Sequence, residues 1–234
     1  SNAAGAPAAA PPPVVEKLVQ RFSADAAGVI ASRQTVVVDQ KAPGHDEHDE
    51  QEMTVLQQDR KGVGVRFHRI VSKGRALGAD ELAKQQEAAD KRYASEPPKL
   101  STRFSLPQYP EAVADYTFSA PKPCAGCGET IDFSSAVKDE RHGHGTLTFD
   151  PATSRISKIE FVPNVPPKPA STGKATYTYG RHDDGSWGII RIEEHYEGHV
   201  LLISGSLDRT TTVLRTKHFA TLDEARRAVQ SGSL

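Results

Sequence analysis

Leu147 and Phe149, Ile159 and Phe161, and Tyr177 and Tyr179 are pairs separated by a single residue. A strand turns successive side chains to opposite faces, so each pair lies on one face while the residues between face the other way. This two-residue period constrains the chain more than any other feature. It recurs in short β-branched or alternating runs: TVVVD at 35–39, EMTVLQQ at 52–58, VGVRFHRIV at 63–71, TRFSL at 102–106, YTFSA at 116–120 and TIDFSSA at 130–136. GTLTFD at 145–150, ISKIEFV at 156–162, ATYTYG at 175–180, WGIIRIEEHY at 187–196, HVLLISGSL at 199–207 and TTTVLRTKHF at 210–219 continue the series. Reverse-turn signals at 150–153 (Asp-Pro-Ala-Thr), 183–186 (Asp-Asp-Gly-Ser) and Glu197-Gly198 imply that neighbours in sequence pair antiparallel.

So many strands in series would leave long exposed edges if they stayed flat. The expected fold is therefore mainly β, of the α+β kind: a curled antiparallel sheet or incomplete β-barrel of about ten strands. Two helices are expected to accompany it. Val14, Leu18 and Phe22, with Val15, Val19 and Ala26 beside them, follow helical spacing over Val14 to Ala27. Leu77 to Tyr93 (LGADELAKQQEAADKRY) consists of strong helix formers with a thin apolar stripe, which suits a surface helix covering one rim. A third, short helix follows Thr221, where Thr221-Leu222-Asp223-Glu224 has capping-box spacing.

Ser1-Asn2-Ala3 reads as the scar of a cleaved tag and Ala4 to Pro13 (AGAPAAAPPP) as an Ala/Pro-rich tether, so residues 1–13 are expected to be disordered and 14–234 to form a single β-rich domain. Tethers of this kind follow a removed signal peptide or lipid-anchoring signal. The expectation is an exported protein, periplasmic or secreted and tethered to the membrane through what preceded this start. No run of 18 apolar residues is present, so no transmembrane span is expected. Lys plus Arg number 29 against 30 Asp plus Glu, leaving no overall field that would favour nucleic acid.

Chemistry is concentrated in Pro-Cys-Ala-Gly-Cys-Gly at 123–128, which holds both cysteines. Cys124 and Cys127 have the spacing of a zinc knuckle, and His142 and His144 (RHGH) would complete a Cys2His2 set. A dithiol redox centre needs a helix after the first cysteine, whereas GETIDF reads as a strand. A disulfide that closes the loop in an exported protein is the third reading. KAPGHDEHDE at 41–50 is read as an acidic loop in which His45 and His48 are solvated, and His195 and His199 as residues flanking a turn. Serine elbows, HExxH and phosphate loops are missing from the sequence, so no catalytic residue is assigned and no enzyme activity is expected.

The order of helix, three strands, helix and long antiparallel meander is similar to the periplasmic lipoprotein-carrier superfamily of the LolA/LolB type. GHGTLTFDPATSRISKIEF at 143–161 resembles the hairpin common in that superfamily, followed by a strand like ATYTYGR and a turn into WGIIRIEEHYEG. The resemblance spans roughly Val14 to Phe219. It implies an incomplete barrel over a hydrophobic cavity that accepts acyl chains, with a lid placed loosely on Leu77 to Tyr93. The CxxC, the His-rich acidic run and PNVPPKP at 163–169 depart from the pattern.

The first functional expectation is a non-enzymatic envelope protein that binds an apolar or lipid-like ligand, or a partner protein, on the concave face of the sheet. Phe149, Phe161, Tyr177, Tyr179 and Trp187 are the cavity candidates, and no cofactor is expected. The second is a metal-binding envelope domain using zinc at Cys124, Cys127, His142 and His144. A third is an interaction module without a small ligand, in which a sheet edge captures a partner.

Overall fold

The acidic run at 41–50 is a β-hairpin and not a loop. Strand β1 (Val29–Ala42) leads through Pro43 and Gly44, the latter at φ 76°, directly into β2 (His45–Gln58). Proline followed by a left-handed glycine suits the centre of a tight turn, and cross-strand pairing then absorbs the polar residues: Asp39 lies opposite His48 and Lys41 opposite Asp46. The computed structural model describes residues 10–100, 103–200 and 203–232, so the tag scar at 1–3 and most of the tether lie outside the described residues.

The chain forms two compact units, one comprising residues up to Ala24 with Phe104–Val165, the other Asp25–Arg103 with Pro166 onward. In the second unit β3 (Lys61–Ser72), β4 (Arg75–Ala76), helix α2 (Ala79–Ser95) and β5 (Lys99–Leu100) follow β2. After the excursion through the first unit come β11 (Ala170–Arg181), β12 (Trp187–Val200), β13 (Ile203–Phe219) and helix α3 (Leu222–Gln230). Its strand order is β4-β3-β2-β1-β13-β12-β11, with β5 beside β3. Every pairing given for these strands is antiparallel.

The expected turn at Glu197-Gly198 is instead the interior of β12, where Gly198 lies opposite Ala170 on one side and Gly205 on the other. Its Cα hydrogen faces the Pro169 carbonyl so closely that a Cβ would sit 2.8 Å from that oxygen. Here glycine marks close backbone approach, the alternative reading of a strand glycine. His199 and Val200 end β12, and residues 203–207 and 210–219 merge into β13.

Residues of β2 an odd number of positions apart sort the apolar side chains of this unit onto two faces. Leu56 joins Val29, Ala31 and, from α3, Ala225 and Val229. On the other face Met53 joins Val36, Val65 and, from α2, Ala89. Each helix thus has its own apolar cluster. The Thr221 hydroxyl accepts from the Glu224 N–H at 3.2 Å, so the N-cap read from the sequence is present.

The first unit holds α1 (Pro13–Asp25), a single 3-10 turn (Val113–Asp115), β6 (Tyr116–Phe118), β7 (Lys122–Cys124), β8 (Gly128–Ser135), β9 (Gly143–Asp150) and β10 (Arg155–Pro163). Proline at the first helical position of α1 loses no intrahelical bond, and Val15 and Leu18 are its buried residues. Strand order is β10-β9-β8-β6, with β7 also beside β8. The strand expected at 102–106 is irregular from Arg103 onward, although Phe104 and Leu106 are fully buried. The Leu106 carbonyl closes a turn onto the Tyr109 N–H at 3.0 Å, and the chain coils instead of extending. In both units the sheet is an open antiparallel one, as expected for a curled sheet short of a barrel. Among the described residues no helix is long and apolar enough to cross a membrane.

Candidate functional site

Strand β3 is almost an edge strand, and its outer side is covered in three different ways. Lys61 and Gly62 pair with β5, and Val71 and Ser72 with β4. Between these short clamps the covering element is α2. The Gln86 side chain accepts a hydrogen bond from the Phe67 N–H at 2.9 Å and donates one to the Val65 carbonyl at 2.8 Å. Its amide therefore takes the place that a neighbouring strand's peptide would occupy. The same nitrogen also donates to Asp90 Oδ1 at 2.8 Å, which orients the amide from within the helix.

Beside this contact lies a groove of about 270 Å³. Its floor is Leu56, Val63, Gly64 and Val65, its walls are Tyr93 and Ala94 of α2 and Val229 of α3, and Arg66, Gln86, Asp90, Arg226 and Gln230 supply the polar rim. Four consecutive residues of β3 line it. Val63 packs against the cluster that α3 joins and Val65 belongs to the one that α2 joins, so the groove opens on the strand's edge, where the two helix-covered faces meet.

Helix α2 is lightly held. Of its 17 residues only Ala89 is buried, and most helical stability in proteins comes from a packed apolar face. Its N-terminus is pinned by Arg75, whose guanidinium makes two bonds to Glu81 at 2.9 and 2.8 Å. This guanidinium first, and then the Gly78 N–H, holds the Glu81 carboxyl down to about 2.

The five aromatic cavity candidates are elsewhere. Phe149 and Phe161 in the first unit, and Tyr177 and Tyr179 in the second, are buried, while Trp187 is half-buried. None of them lines the groove.

The Cys2His2 set does not assemble. Cys124 and Cys127 are joined as a disulfide, so neither sulfur is a thiolate ligand. The β8–β9 register separates the rest: Glu129, beside the disulfide turn, pairs with Phe149, whereas His144 pairs with Ser134 at the far end of the hairpin. Five residues of strand are about 17 Å. His142 is engaged instead with carboxylates, its Nδ1 lying 2.9 Å from Asp139 and its Nε2 3.2 Å from Asp115. Burial pushes the Asp139 carboxyl up, but hydrogen bonds from the His142 N–H and ring and from the Arg141 N–H prevail and lower it. This ring pins the 3-10 turn to the loop before β9. His144 lies 3.5 Å from Asn164 Oδ1. Among the described residues no group of three or more His, Cys, Asp or Glu side chains is arranged to hold a metal ion.

Sequence reasoning placed a surface helix near 77–93 but missed Gln86, because a lone glutamine among helix formers carries no signal of its own. GVGV at 62–65 was the available hint, since glycines inside a strand mark close approach.

No family model matches the chain, and no curated protein does. Among solved structures it is similar to a LolA superfamily protein from Nitrosomonas europaea at 14% identity, covering 94% of this chain and 99% of that one with a TM-score of 0.41. It is also similar to a DUF1329 family protein from Desulfovibrio piger at 10% identity, covering 93% and 98% with a TM-score of 0.39. The Pseudomonas aeruginosa MucA/MucB complex matches at 10% identity over 89% of this chain and 99% of that one, with a TM-score of 0.25. The first of these carries the superfamily name that the sequence pattern resembles.

Proposed function

We propose that this protein acts by binding and not by catalysis, and that its site is the groove at the outer edge of β3, between α2 and α3, which takes an apolar group. The observation that carries this reading is an apolar floor, formed by Leu56, Val63 and Val65, left open between two helices and ringed by polar side chains. A few convergent polar groups around an apolar recess are the usual make-up of a binding pocket. At about 270 Å³ the groove is just below the ~300–1,000 Å³ of cavities that enclose a drug-sized ligand. It suits one short apolar group better than a whole acyl chain.

An exported setting fits the same reading. Disulfides persist in oxidising compartments, and the Cys124–Cys127 bridge supports a periplasmic or secreted location, as does the tether read from the sequence.

The test is uptake of an apolar anilinonaphthalene dye by the native protein, with Val63→Asp as the control. The dye should bind with a blue-shifted emission, and the added carboxylate in the groove floor should abolish uptake while the far-ultraviolet circular dichroism stays unchanged. Native protein that leaves the dye in water would refute the proposal.

A further inference from the structure

The occupant of the groove follows from how the edge beside it is covered. Residues 63–69 of β3 lie between the β5 clamp at 61–62 and Ile70, whose carbonyl accepts from the Leu77 N–H at 2.9 Å beside the β4 clamp at 71–72, and on this side no strand of the described residues pairs with them. An uncovered strand of this length is about 25 Å of unpaired main chain, which proteins shield because another strand can add to it. The shield here is one side-chain amide, Gln86 on Phe67 N–H and Val65 carbonyl. It is carried by a helix with a single buried residue.

From this geometry we infer that β3 is a strand-addition site: an extended segment of a partner protein pairs with residues 63–69, displacing Gln86 and swinging α2 aside. This rests on the groove being the binding site and names its partner. The chemistry of the segment is set by the alternation of β3. Val65 and Phe67 turn to one face and Arg66 to the other. Arg66 is exposed and on the rim, with Arg226 across the groove. A matching strand places apolar side chains beside Val65, in the groove, and carboxylates beside Arg66. It therefore alternates apolar and acidic residues, and its main chain supplies the bonds that Gln86 now makes.

The probe is a blocked heptapeptide of alternating valine and glutamate, added to the whole protein and followed by amide hydrogen exchange. Its partner probe is the same peptide with alternate backbone nitrogens methylated, which keeps the side chains and removes main-chain pairing. The parent peptide should slow exchange across 63–69 and speed it in α2, and the methylated one should not bind. Gln86→Ala, which removes two competing hydrogen bonds, should tighten the parent peptide about tenfold. Equal binding of both peptides without protection of 63–69 overturns strand addition and leaves the apolar groove standing. So does dye uptake by a protein that ignores both peptides. Failure of dye and peptides together removes both readings, and self-association through 63–69 in their absence would replace the partner by a second copy of the chain.

Discussion

Asp39 and Asp208 stand directly opposite each other across β1 and β13, and each is closed off on its outer side by a histidine. His48 on β2 lies 2.7 Å from Asp39, and His195 on β12 lies 2.6 Å from Asp208. Like charges facing across a ladder are destabilising, so the two imidazoles offset a repulsion that the strand register imposes. Lys174 on β11 extends the row beyond His195, and Glu197 lies 3.3 Å from its Nε2.

A pH response follows. The hydrogen bond that Asp39 accepts from the His48 ring raises the His48 pKa above 6.5, and those that Asp208 and Glu197 accept raise that of His195. A group whose folded pKa is raised contributes stability that is complete below its unfolded value and is lost as pH climbs through the folded one. As pH rises from 6.5 through their raised folded values, the loss of charge on these two histidines should therefore weaken the β2-β1-β13-β12 region. His68 runs the other way: burial, then Arg33, lowers its pKa, so its contribution is complete above 6.5 and is lost as pH falls below that through the depressed folded value. A proton-detected titration should place His48 and His195 above His68, and Asp208→Asn should bring His195 down. An unshifted His195 in that variant would show that the Asp208 contact does not govern it.

Gly145 of β9 lies opposite Phe133 on β8 and Phe161 on β10, whose rings are 6.3 Å apart and stacked. A Cβ at this position would run into the Glu160 carbonyl and come within 3.1 Å of the Phe133 ring. Gly145→Ala should cost about 3 kcal/mol in chemical denaturation, at the upper end for overpacking a core. A loss under about 1 kcal/mol would mean the sheet here yields easily.

The alternating pairs Leu147/Phe149, Ile159/Phe161 and Tyr177/Tyr179 are all buried in strands, because a period of two with one wet face leaves no other conformation that buries them together. Lys41–Glu50 defeated the same reading. Its residues are polar on both faces, so the pattern that marks a strand is missing and only pairing with β1 makes it one. Gly198 failed for a related reason, since a glycine reads as a turn until the neighbouring backbone is known. The groove needed two helices and an edge strand distant in sequence, and its decisive contact is made by a residue type with no signature.

Phe149→Ala separates core from cavity lining for the aromatics. At 1% exposure Phe149 is fully enclosed, so truncation should cost about 3–5 kcal/mol, the range for a large buried ring. Trp187→Ala, at a half-buried position, should cost clearly less. If Phe149→Ala leaves stability untouched, the ring borders a space that already exists and the concave-face cavity returns.

The Cys124–Cys127 bridge closes only a four-residue turn, whose Cys127 N–H already donates to the Cys124 carbonyl at 3.2 Å. Glycines flank the second cysteine at φ 74° and 91°, in the left-handed region that suits them, and Lys122 pairs with Thr130 just beyond. The turn is thus shaped by backbone as well as by sulfur. Loop-closure entropy for so short a ring is on the order of 2 kcal/mol, so Cys124→Ser with Cys127→Ser should lose no more than that, and mild reductant should open the exposed bridge without unfolding the chain. Zinc added to the reduced protein should leave the His142 and His144 ring signals where they were, because the register holds both imidazoles at the opposite end of the β8–β9 hairpin. Movement of those signals on zinc addition would show that the hairpin rearranges and that the four-ligand set can form after all.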